Sequence, residues 1–293
     1  MAVKAETAGV AKADMPFSKT FALSILAGAF IALGAIFATT VSAGAISAST
    51  PDGASTFSAG LPYGVVRLLA GVSFSLGLIL VIVAGAELFT GNNLIVMAWA
   101  GRKVGAARLI RNWIIVWVGN FVGSLVTVGL MLATGQYKFG GGAVGLTALA
   151  TADSKTGLDF FQALALGIMC NALVCMAVWL TYSARTTTDR ILAIIPPISA
   201  FVAAGFEHSV ANMYFIPMGL FIKMTAPDSF WSTIRKTAAD YADLTWGNFF
   251  VNNLIPVTIG NIIGGAVLVG AMYWFIYLRG RPRATDASSD GVD

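Results

Sequence analysis

Six apolar segments separated by short polar stretches occupy most of the chain. Each is at least as long as the roughly 20 residues that cross the hydrocarbon core of a bilayer, which is about 30 Å thick. The run that begins near residue 20 is too long for the apolar part of a signal peptide, so we interpret it as the first span. The pattern therefore predicts six transmembrane helices. The segments are residues 20–47, 63–100, 110–133, 159–184, 190–222 and 248–278.

The second and fifth segments each contain a polar interruption that a continuous span would not tolerate. The first interruption runs from Glu87 to Asn93, and the second runs from Gly205 to Asn212. Polar groups at this depth are costly unless they line a cavity or are buried in protein. We therefore predict that both spans consist of two half-helices joined by an irregular piece at mid-membrane. Between the spans, we expect residues 134–158 to form a polar loop and residues 223–247 to include a short surface helix.

The two halves of the chain carry matching motifs. Gly-x-Glu-x4-Asn begins at Gly85 and again at Gly205, and the following span of each half contains Gly-Asn-x-x-Gly around Asn120 and Asn261. Because each half has three spans, the halves must insert with opposite topology, an arrangement that places a substrate site at the midplane. The predicted fold is an all-α integral membrane protein with two inverted three-helix repeats. The repeats are residues 20–133 and 159–279, and together they form a transmembrane channel domain over residues 20–279.

Composition and charge agree with a membrane location and indicate an orientation. Only 11% of the 293 residues are charged and the mean hydropathy is +0.79, whereas a soluble domain carries about a quarter charged residues. Lysine and arginine concentrate in the N-terminal segment 1–19, in the loops after the second and fourth spans, and in the tail 280–293. Cytoplasmic loops carry this excess of cations, so we predict a multi-pass protein of the cytoplasmic (inner) membrane with both termini cytoplasmic.

The single histidine, His208, lies in the second interruption next to Glu207. A buried histidine can be a purely structural hydrogen-bonding residue, but its mid-membrane depth and the repeat symmetry favour a pore-facing role. Imidazole donates a hydrogen bond in either protonation state, and the N-termini of half-helices direct positive dipole ends to the midplane. These features predict a site for a small anion. Thr90, in the first interruption, would lie opposite as a pore hydroxyl, a helix N-cap, or both.

The carboxylates of Glu87 and Glu207 are poor ligands for an anion because like charges repel. We expect them to accept hydrogen bonds from backbone donors in the breaks and to orient Asn92 and Asn212. The residues assigned to the structure of the helix breaks are Glu87, Gly91, Asn92, Asn212, Asn120 and Asn261.

Two further features have alternative interpretations. Lys155, just before the fourth span, is either an ordinary solvated lysine or a collector of anions at the mouth of the pore. Four apolar residues near the interruptions either pack in the core or form constrictions that exclude water. These residues are Phe74, Leu78, Leu88 and Phe201.

Other classes of function fit the sequence poorly. An enzyme that used Glu207 and His208 as acid and base would lack a nucleophile elbow, an HExxH zinc motif and a second histidine. A purely structural scaffold would not need two polar, broken spans, whose insertion into a membrane costs free energy. Cys170 and Cys175 fall in an apolar run and are expected to pack in the core, without a disulfide or a metal. We expect no enzymatic activity, no cofactor and no nucleic-acid partner.

The two interrupted stretches resemble the two signatures of the formate/nitrite transporter family. They are Gly85–Asn92 and Gly205–Asn212, and the resemblance extends from about Pro16 to Arg279. Within the family the chain is most similar to the bacterial formate channels. The most similar stretches outside the signatures are residues 74–80, residues 151–155 and residues 254–265.

The resemblance implies an aquaporin-like protomer, a homopentamer in the lipid bilayer and one substrate pore in each protomer. It implies that His208 and Thr90 face each other across a central chamber between two hydrophobic slits formed by the four apolar residues above. Asn171 and Glu207 would belong to a polar network around the histidine, and Lys155 would draw anions into the outer vestibule. The Asn-Pro-Ala boxes of aquaporins are absent from both interruptions, which argues against a water or glycerol channel.

The function implied is the passage of formate, a small monocarboxylate, across the cytoplasmic membrane. We expect this passage to be coupled to protons at low pH through the central histidine. The alternatives are a nitrite channel and a broader pore for small monovalent anions such as acetate, lactate or hydrosulfide.

Overall fold

The computed structural model describes residues 1–43, 47–49, 56–58 and 61–280, and it is almost entirely helical. Within these residues, six helical stretches are long and apolar enough to cross a membrane, which confirms the predicted number. The predicted tail falls, from residue 281 onward, outside the described residues. The six stretches are Phe17–Ser42, Tyr63–Ala84, Ala106–Thr134, Phe160–Thr181, Thr187–Ala204 and Ala238–Tyr277.

Among the described residues, the first half contains six α-helices and one hairpin. The helices are α1 (Ala2–Ala13), α2 (Phe17–Ser42), α3 (Tyr63–Ala84), α4 (Phe89–Asn92), α5 (Val96–Ala100) and α6 (Ala106–Thr134). A 3-10 turn, Asn93–Ile95, joins α4 to α5. Between α2 and α3, strands β1 (Ser47–Ser49) and β2 (Thr56–Ser58) pair antiparallel, a hairpin that the sequence pattern does not predict.

Up to residue 280, where the described part of the chain ends, the second half contains eight α-helices. They are α7 (Ala143–Thr156), α8 (Phe160–Thr181), α9 (Thr187–Ala204), α10 (Ser209–Thr225), α11 (Asp228–Ile234), α12 (Trp246–Asn248), α13 (Ile255–Ile262) and α14 (Met272–Tyr277). The last span is continuous from α12 to α14, because the π-helical segments Phe249–Leu254 and Ile263–Ala271 fill the gaps. Short 3-10 turns at Gln136–Lys138 and Ala238–Tyr241 complete the connections.

Both predicted helix breaks are present. Gly85 follows the last residue of α3 and Gly205 follows the last residue of α9, each with a left-handed backbone (φ of 80° and 77°) that glycine adopts without strain. Three extended or irregular residues follow each glycine before α4 or α10 begins. The interruptions therefore end one half-helix and start another, as the polar runs predict.

The halves pack in the same way, which confirms two related three-helix repeats. Helix α2 packs against α3 and α6, α8 packs against α9 and α13, and the first half-helices α3 and α9 pack against each other. Gly123 and Gly264 occupy equivalent positions, where any side chain would collide with the carbonyl of Ile25 or Ile168. Absence of a side chain at these positions lets the third span of each repeat lie directly against the first.

Two segments that appear loop-like in sequence are helical. Residues 134–158, predicted as a polar loop, contain α7, which packs against α10. The N-terminal segment contains α1, whose face formed by Ala5, Gly9 and Ala13 is buried against α5 and the 3-10 turn before it. These small residues at a spacing of four allow close helix contact. In residues 223–247, α11 is the short helix that the sequence predicts.

Candidate transport pore

The first break is held by one amide side chain from α6. Asn120 accepts a hydrogen bond from the backbone N–H of Phe89 (2.9 Å) and donates to the carbonyls of Ser24 (2.7 Å) and Glu87 (2.9 Å). Ser24 lies inside α2, but the Phe89 N–H and the Glu87 carbonyl have no partner within a helix because they lie at the break. Asn120 is fully buried, so it replaces the water that would otherwise satisfy them.

The second break is held in the same way by the last span. Asn261 accepts from the backbone N–H of Ser209 (2.9 Å) and donates to the carbonyls of Gly167 (2.8 Å) and Glu207 (3.0 Å). Each asparagine therefore connects the first span, the break and the third span of its repeat. Its short side chain provides both the acceptor and the two donors that the position requires.

The carboxylate of Glu87 is the centre of a buried polar cluster next to the first break. Asn92 donates to Glu87 Oε2 (2.7 Å) and to Asn112 (2.9 Å). The ammonium of Lys12, on α1, donates to Glu87 Oε1 (2.7 Å) and to Asn92 Oδ1 (2.9 Å). The N-terminal helix thus supplies the counter-charge of this cluster.

Glu207 is the centre of the equivalent cluster at the second break. Asn212 donates to Glu207 Oε2 (2.6 Å) and to Asn253 (2.7 Å), which itself donates to Glu207 Oε2 (3.1 Å). Lys155, on α7, donates to Glu207 Oε1 (2.6 Å). The Lys155 ammonium does not reach Asn212, whose buried Oδ1 has no hydrogen-bond partner in the described part of the chain.

Three members of these clusters are not among the predicted site residues, and the sequence contains a signal for the two asparagines but not for the lysine. Asn112 precedes Asn120 by the same eight residues that separate Asn253 from Asn261, so these asparagines extend the matching motif of the third spans. Lys12 is the counterpart of Lys155, because α1 and α7 lie against equivalent breaks. The similarity of α1 and α7 is not visible in their sequences, which share little beyond small residues.

The breaks bring Thr90 and His208 into direct contact. Thr90 Oγ1 lies 2.9 Å from His208 Nε2, and both side chains are buried. His208 also caps α10, because its Nδ1 accepts a hydrogen bond from the backbone N–H of Ala211 (3.0 Å). An imidazole nitrogen that accepts carries no proton, so the proton of the neutral ring is on Nε2, which donates to Thr90.

Asn171 and Glu207 do not touch the imidazole with their side chains. Asn171 donates to the carbonyl of Asn261 (2.7 Å), to Asn93 Oδ1 (2.9 Å) and, at 3.3 Å, to the carbonyl of Thr90. It therefore reaches the histidine only through the backbone of Thr90. The Glu207 carboxylate is directed toward Lys155 instead.

The four apolar residues predicted as constrictions are all buried, and they lie in two pairs beside the Thr90–His208 contact. The rings of Phe74 and Phe201 meet edge to face with centroids 5.7 Å apart, and Phe201 stacks on His208 at 5.9 Å. Leu78 and Leu88 lie on the other side of this contact and line a different cavity.

Two cavities extend toward the Thr90–His208 contact from opposite sides. The Lys155 vestibule, about 440 Å³, is lined by Phe74, Phe201 and His208 among others. The Lys12 vestibule, about 340 Å³, is lined by Leu78, Leu88, Gly91 and Glu87 among others. They share no lining residue, so the apolar pairs and the Thr90–His208 contact separate them.

No group of three potential metal ligands (histidine, cysteine, aspartate or glutamate) occurs among the described residues, and Cys170 and Cys175 are buried free thiols. The Cys175 thiol lies 3.3 Å from the carbonyl of Thr90 and helps to fill the space behind it.

Comparison with known proteins identifies several similar chains. A sequence profile described as formate/nitrite transporter matches residues 1–275. The chain is 46% identical over 279 residues to the formate channel FocA of Escherichia coli K12, covering 95% of this chain and 93% of that protein. A solved structure described as a pentameric formate channel with formate bound superimposes with a TM-score of 0.81 at 49% identity, covering 90% and 98% of the two chains. A solved structure described as an FNT family ion channel superimposes with a TM-score of 0.73 at 27% identity, covering 94% of this chain and 98% of that chain.

Proposed function

We propose that this chain, which belongs to the formate/nitrite transporter family, passes formate across the membrane and couples this passage to protons at low pH through His208. Membership places it among multi-pass membrane transporters rather than enzymes. The observation that supports proton-coupled passage of formate through His208 is the contact between Thr90 and His208. This contact lies in a closed apolar stretch between two vestibules. That contact provides the titratable hydrogen-bonding group that an anion meets there.

A free anion pays a large desolvation cost in an apolar slit, whereas a neutral acid does not. With a carboxylate pKa of about 4, roughly one formate in a thousand is neutral in solution at pH 7. A pore that only admitted the acid from solution would therefore be slow near neutral pH. A proton donor at the centre of the pore removes this restriction.

The hydrogen bonds of His208 suggest how the proton is supplied. In the neutral ring, Nε2–H donates to Thr90 and Nδ1 caps α10. At low pH, Nδ1 takes up a proton from water and gives up the cap, so the ring becomes imidazolium. Nε2–H then donates to the arriving carboxylate, its proton passes to formate, and formic acid leaves. The ring is then neutral with its proton on Nδ1, and it regains the resting form when Nε2 takes up a proton from water and Nδ1 releases one and caps α10 again. One proton crosses with each formate.

The same comparisons motivate a proposal for the assembly and its orientation. We assign this chain a homopentamer, because the similar solved structure is described as a pentameric channel. Helix α1 and the end of the last span lie on one side, where Ala5 packs near Leu278. The cation distribution supports assigning this side to the cytoplasmic face of the inner membrane. In this orientation the Lys12 vestibule would open to the cytoplasm and the Lys155 vestibule to the outside.

Nitrite and other small monovalent anions such as acetate, lactate or hydrosulfide remain the alternative substrates, since no described residue of the vestibules or slits distinguishes a carboxylate from another small anion. Competition with formate in a liposome flux assay separates them from the proposed substrate.

The first test measures flux through purified protein in liposomes between pH 5 and pH 8, with His208→Phe and His208→Asn. In the wild type, formate is expected to exceed nitrite, glycerol should not pass, and proton uptake should accompany formate at pH 5. Both variants lack the central proton donor, so their remaining flux should follow the fraction of formic acid in solution, about tenfold per pH unit.

The asparagine variant is the matched control for folding. Asparagine caps a helix N-terminus well, so it keeps a bond to Ala211, whereas phenylalanine cannot. Faster nitrite than formate would overturn the substrate assignment. A wild-type pH profile in the asparagine variant would overturn the role of His208.

A second prediction concerns the constriction next to the Lys155 vestibule. Phe201→Ala removes one ring of the Phe74–Phe201 pair, so lactate flux is expected to rise several-fold relative to formate flux. Phe161→Ala, which removes an exposed ring on α8, is the matched control and should leave the ratio unchanged. Stopped-flow measurement of lactate and formate flux gives their ratio. An equal ratio in Phe201→Ala and Phe161→Ala would contradict a constriction at Phe201.

A further inference from the structure

We infer that Arg67 and Arg190, rather than the two vestibule lysines, supply the positive charge that gathers anions into the two vestibules. This inference rests on the proposed function, because it concerns how the same pore collects its substrate. One arginine lines each vestibule.

The lysine in each vestibule is neutralised by a nearby carboxylate. Lys155 lies 2.6 Å from Glu207, and Lys12 lies 2.7 Å from Glu87. At these distances each ion pair acts at longer range as a dipole with no net charge, so its attraction for an arriving anion is weak. The lysines organise the polar clusters at the breaks.

Arg67 lines the Lys155 vestibule and makes no ion pair with any described carboxylate. Its guanidinium donates to the last carbonyls of α9, at Ala203 (Nε, 3.3 Å) and at Val202 (Nη2). The carbonyls at a helix C-terminus lack partners within the helix and carry its negative dipole end, so they hold a cation in place. Arg67 therefore presents a fixed, full positive charge to the vestibule, offset only by partial charges.

Arg190 lines the Lys12 vestibule from the first turn of α9. In the described residues its side chain forms no ion pair. The adjacent Asp189 is directed elsewhere, because its carboxylate accepts hydrogen bonds from the backbone N–H groups of Arg185 and Thr186. The net charge of this vestibule therefore comes from Arg190.

The two arginines occupy related places in the inverted repeats. Arg67 lies near the start of α3, 18 residues before Gly85, and Arg190 lies near the start of α9, 15 residues before Gly205. Each is at the membrane-surface end of one first half-helix and lines the vestibule on its own side. A cleft with one sign of net charge and low-dielectric walls concentrates ions of the opposite sign, so each arginine should raise the local concentration of formate.

The test measures initial formate flux from each side of oriented vesicles for Arg67→Gln and Arg190→Gln. At about 0.01 M ionic strength, where screening is weak, flux at low formate should fall by about three- to tenfold from the side of the altered vestibule. Flux at saturating formate should not change. Near 1 M salt the difference should disappear, because the Debye length is about 3 Å.

Three comparisons make the result decisive. Arg67→Lys and Arg190→Lys keep the charge and should retain wild-type flux, and Arg185→Gln removes an exposed charge that lines neither vestibule. Arginine-to-glutamine variants that match the wild type at low salt would overturn the inference. A loss that persists at high salt and in the lysine variants would also overturn it, since it would indicate a structural role. A wild type that passes no formate would instead overturn the proposed function itself.

Discussion

Replacement of Asn261 by leucine is expected to destabilise the protein by about 3 kcal/mol or more. Leucine has a similar size but cannot bond the N–H of Ser209 or the carbonyls of Gly167 and Glu207. Each buried polar group left without a partner costs about 1–3 kcal/mol. Two are left unpaired together, the Ser209 N–H and the Glu207 carbonyl, whereas Gly167 lies inside α8. Such a loss is a large part of the about 5–15 kcal/mol that stabilises a typical protein.

The measurement is the apparent melting temperature of the purified protein in detergent, together with the yield of folded protein from membranes. Asn120→Leu should behave similarly, because Asn120 makes the equivalent three bonds in the other repeat. Asn248→Leu is the control, since the Asn248 side chain donates one exposed hydrogen bond, to the carbonyl of Asp243. An Asn261→Leu protein as stable as Asn248→Leu would show that the breaks do not depend on the buried amides.

Lys155→Met is expected to give the second large effect. The change leaves the Glu207 carboxylate, whose side chain is only 5% exposed, without its counter-charge. Removal of one partner from a buried ion pair typically costs about 3–5 kcal/mol. Glu207→Gln should be destabilising for the complementary reason, because it leaves the largely buried ammonium unpaired. The melting temperature of each variant measures the effect.

The double variant Lys155→Met/Glu207→Gln tests the origin of this effect. Because neither remaining group is charged, its melting temperature should lie above that of at least one single variant, which is the non-additivity expected of coupled residues. The equivalent pair Lys12–Glu87 is the comparison, and its coupling should be smaller because Lys12 is 31% exposed and solvent screens its charge. Purely additive losses in the Lys155–Glu207 series would contradict the ion-pair explanation.

Much of the candidate site was accessible from the sequence because its residues lie on repeated motifs. The polar interruptions marked where the spans break, since such groups in a membrane must be buried in protein or line a cavity. The paired Gly-Asn-x-x-Gly motifs identified the asparagines that hold the breaks. The repeat also suggested that Thr90 lies opposite His208, and the two side chains are 2.9 Å apart.

The helices outside the spans were harder to predict. Helices α1 and α7 are short and rich in alanine and carry several polar residues, so they lack the apolar length of a span and resemble polar segments in sequence. They are stabilised by packing of small residues against the membrane domain, such as Gly9 of α1 against Ile95 and Ala98. This packing depends on the distant surface they meet, which local propensity does not encode.

The six spans, the two breaks, the duplication and the family could all be inferred before folding was considered, because hydrophobic length and repeated motifs are local properties of the chain. The balance of charges and the proton position of His208 became clear only in the folded protein. Lys12 meets Glu87 across 75 residues, and Arg67 meets the end of α9 across more than 130. These pairings depend on how the two inverted halves pack, so the function of each charge in the pore is a property of the assembled fold.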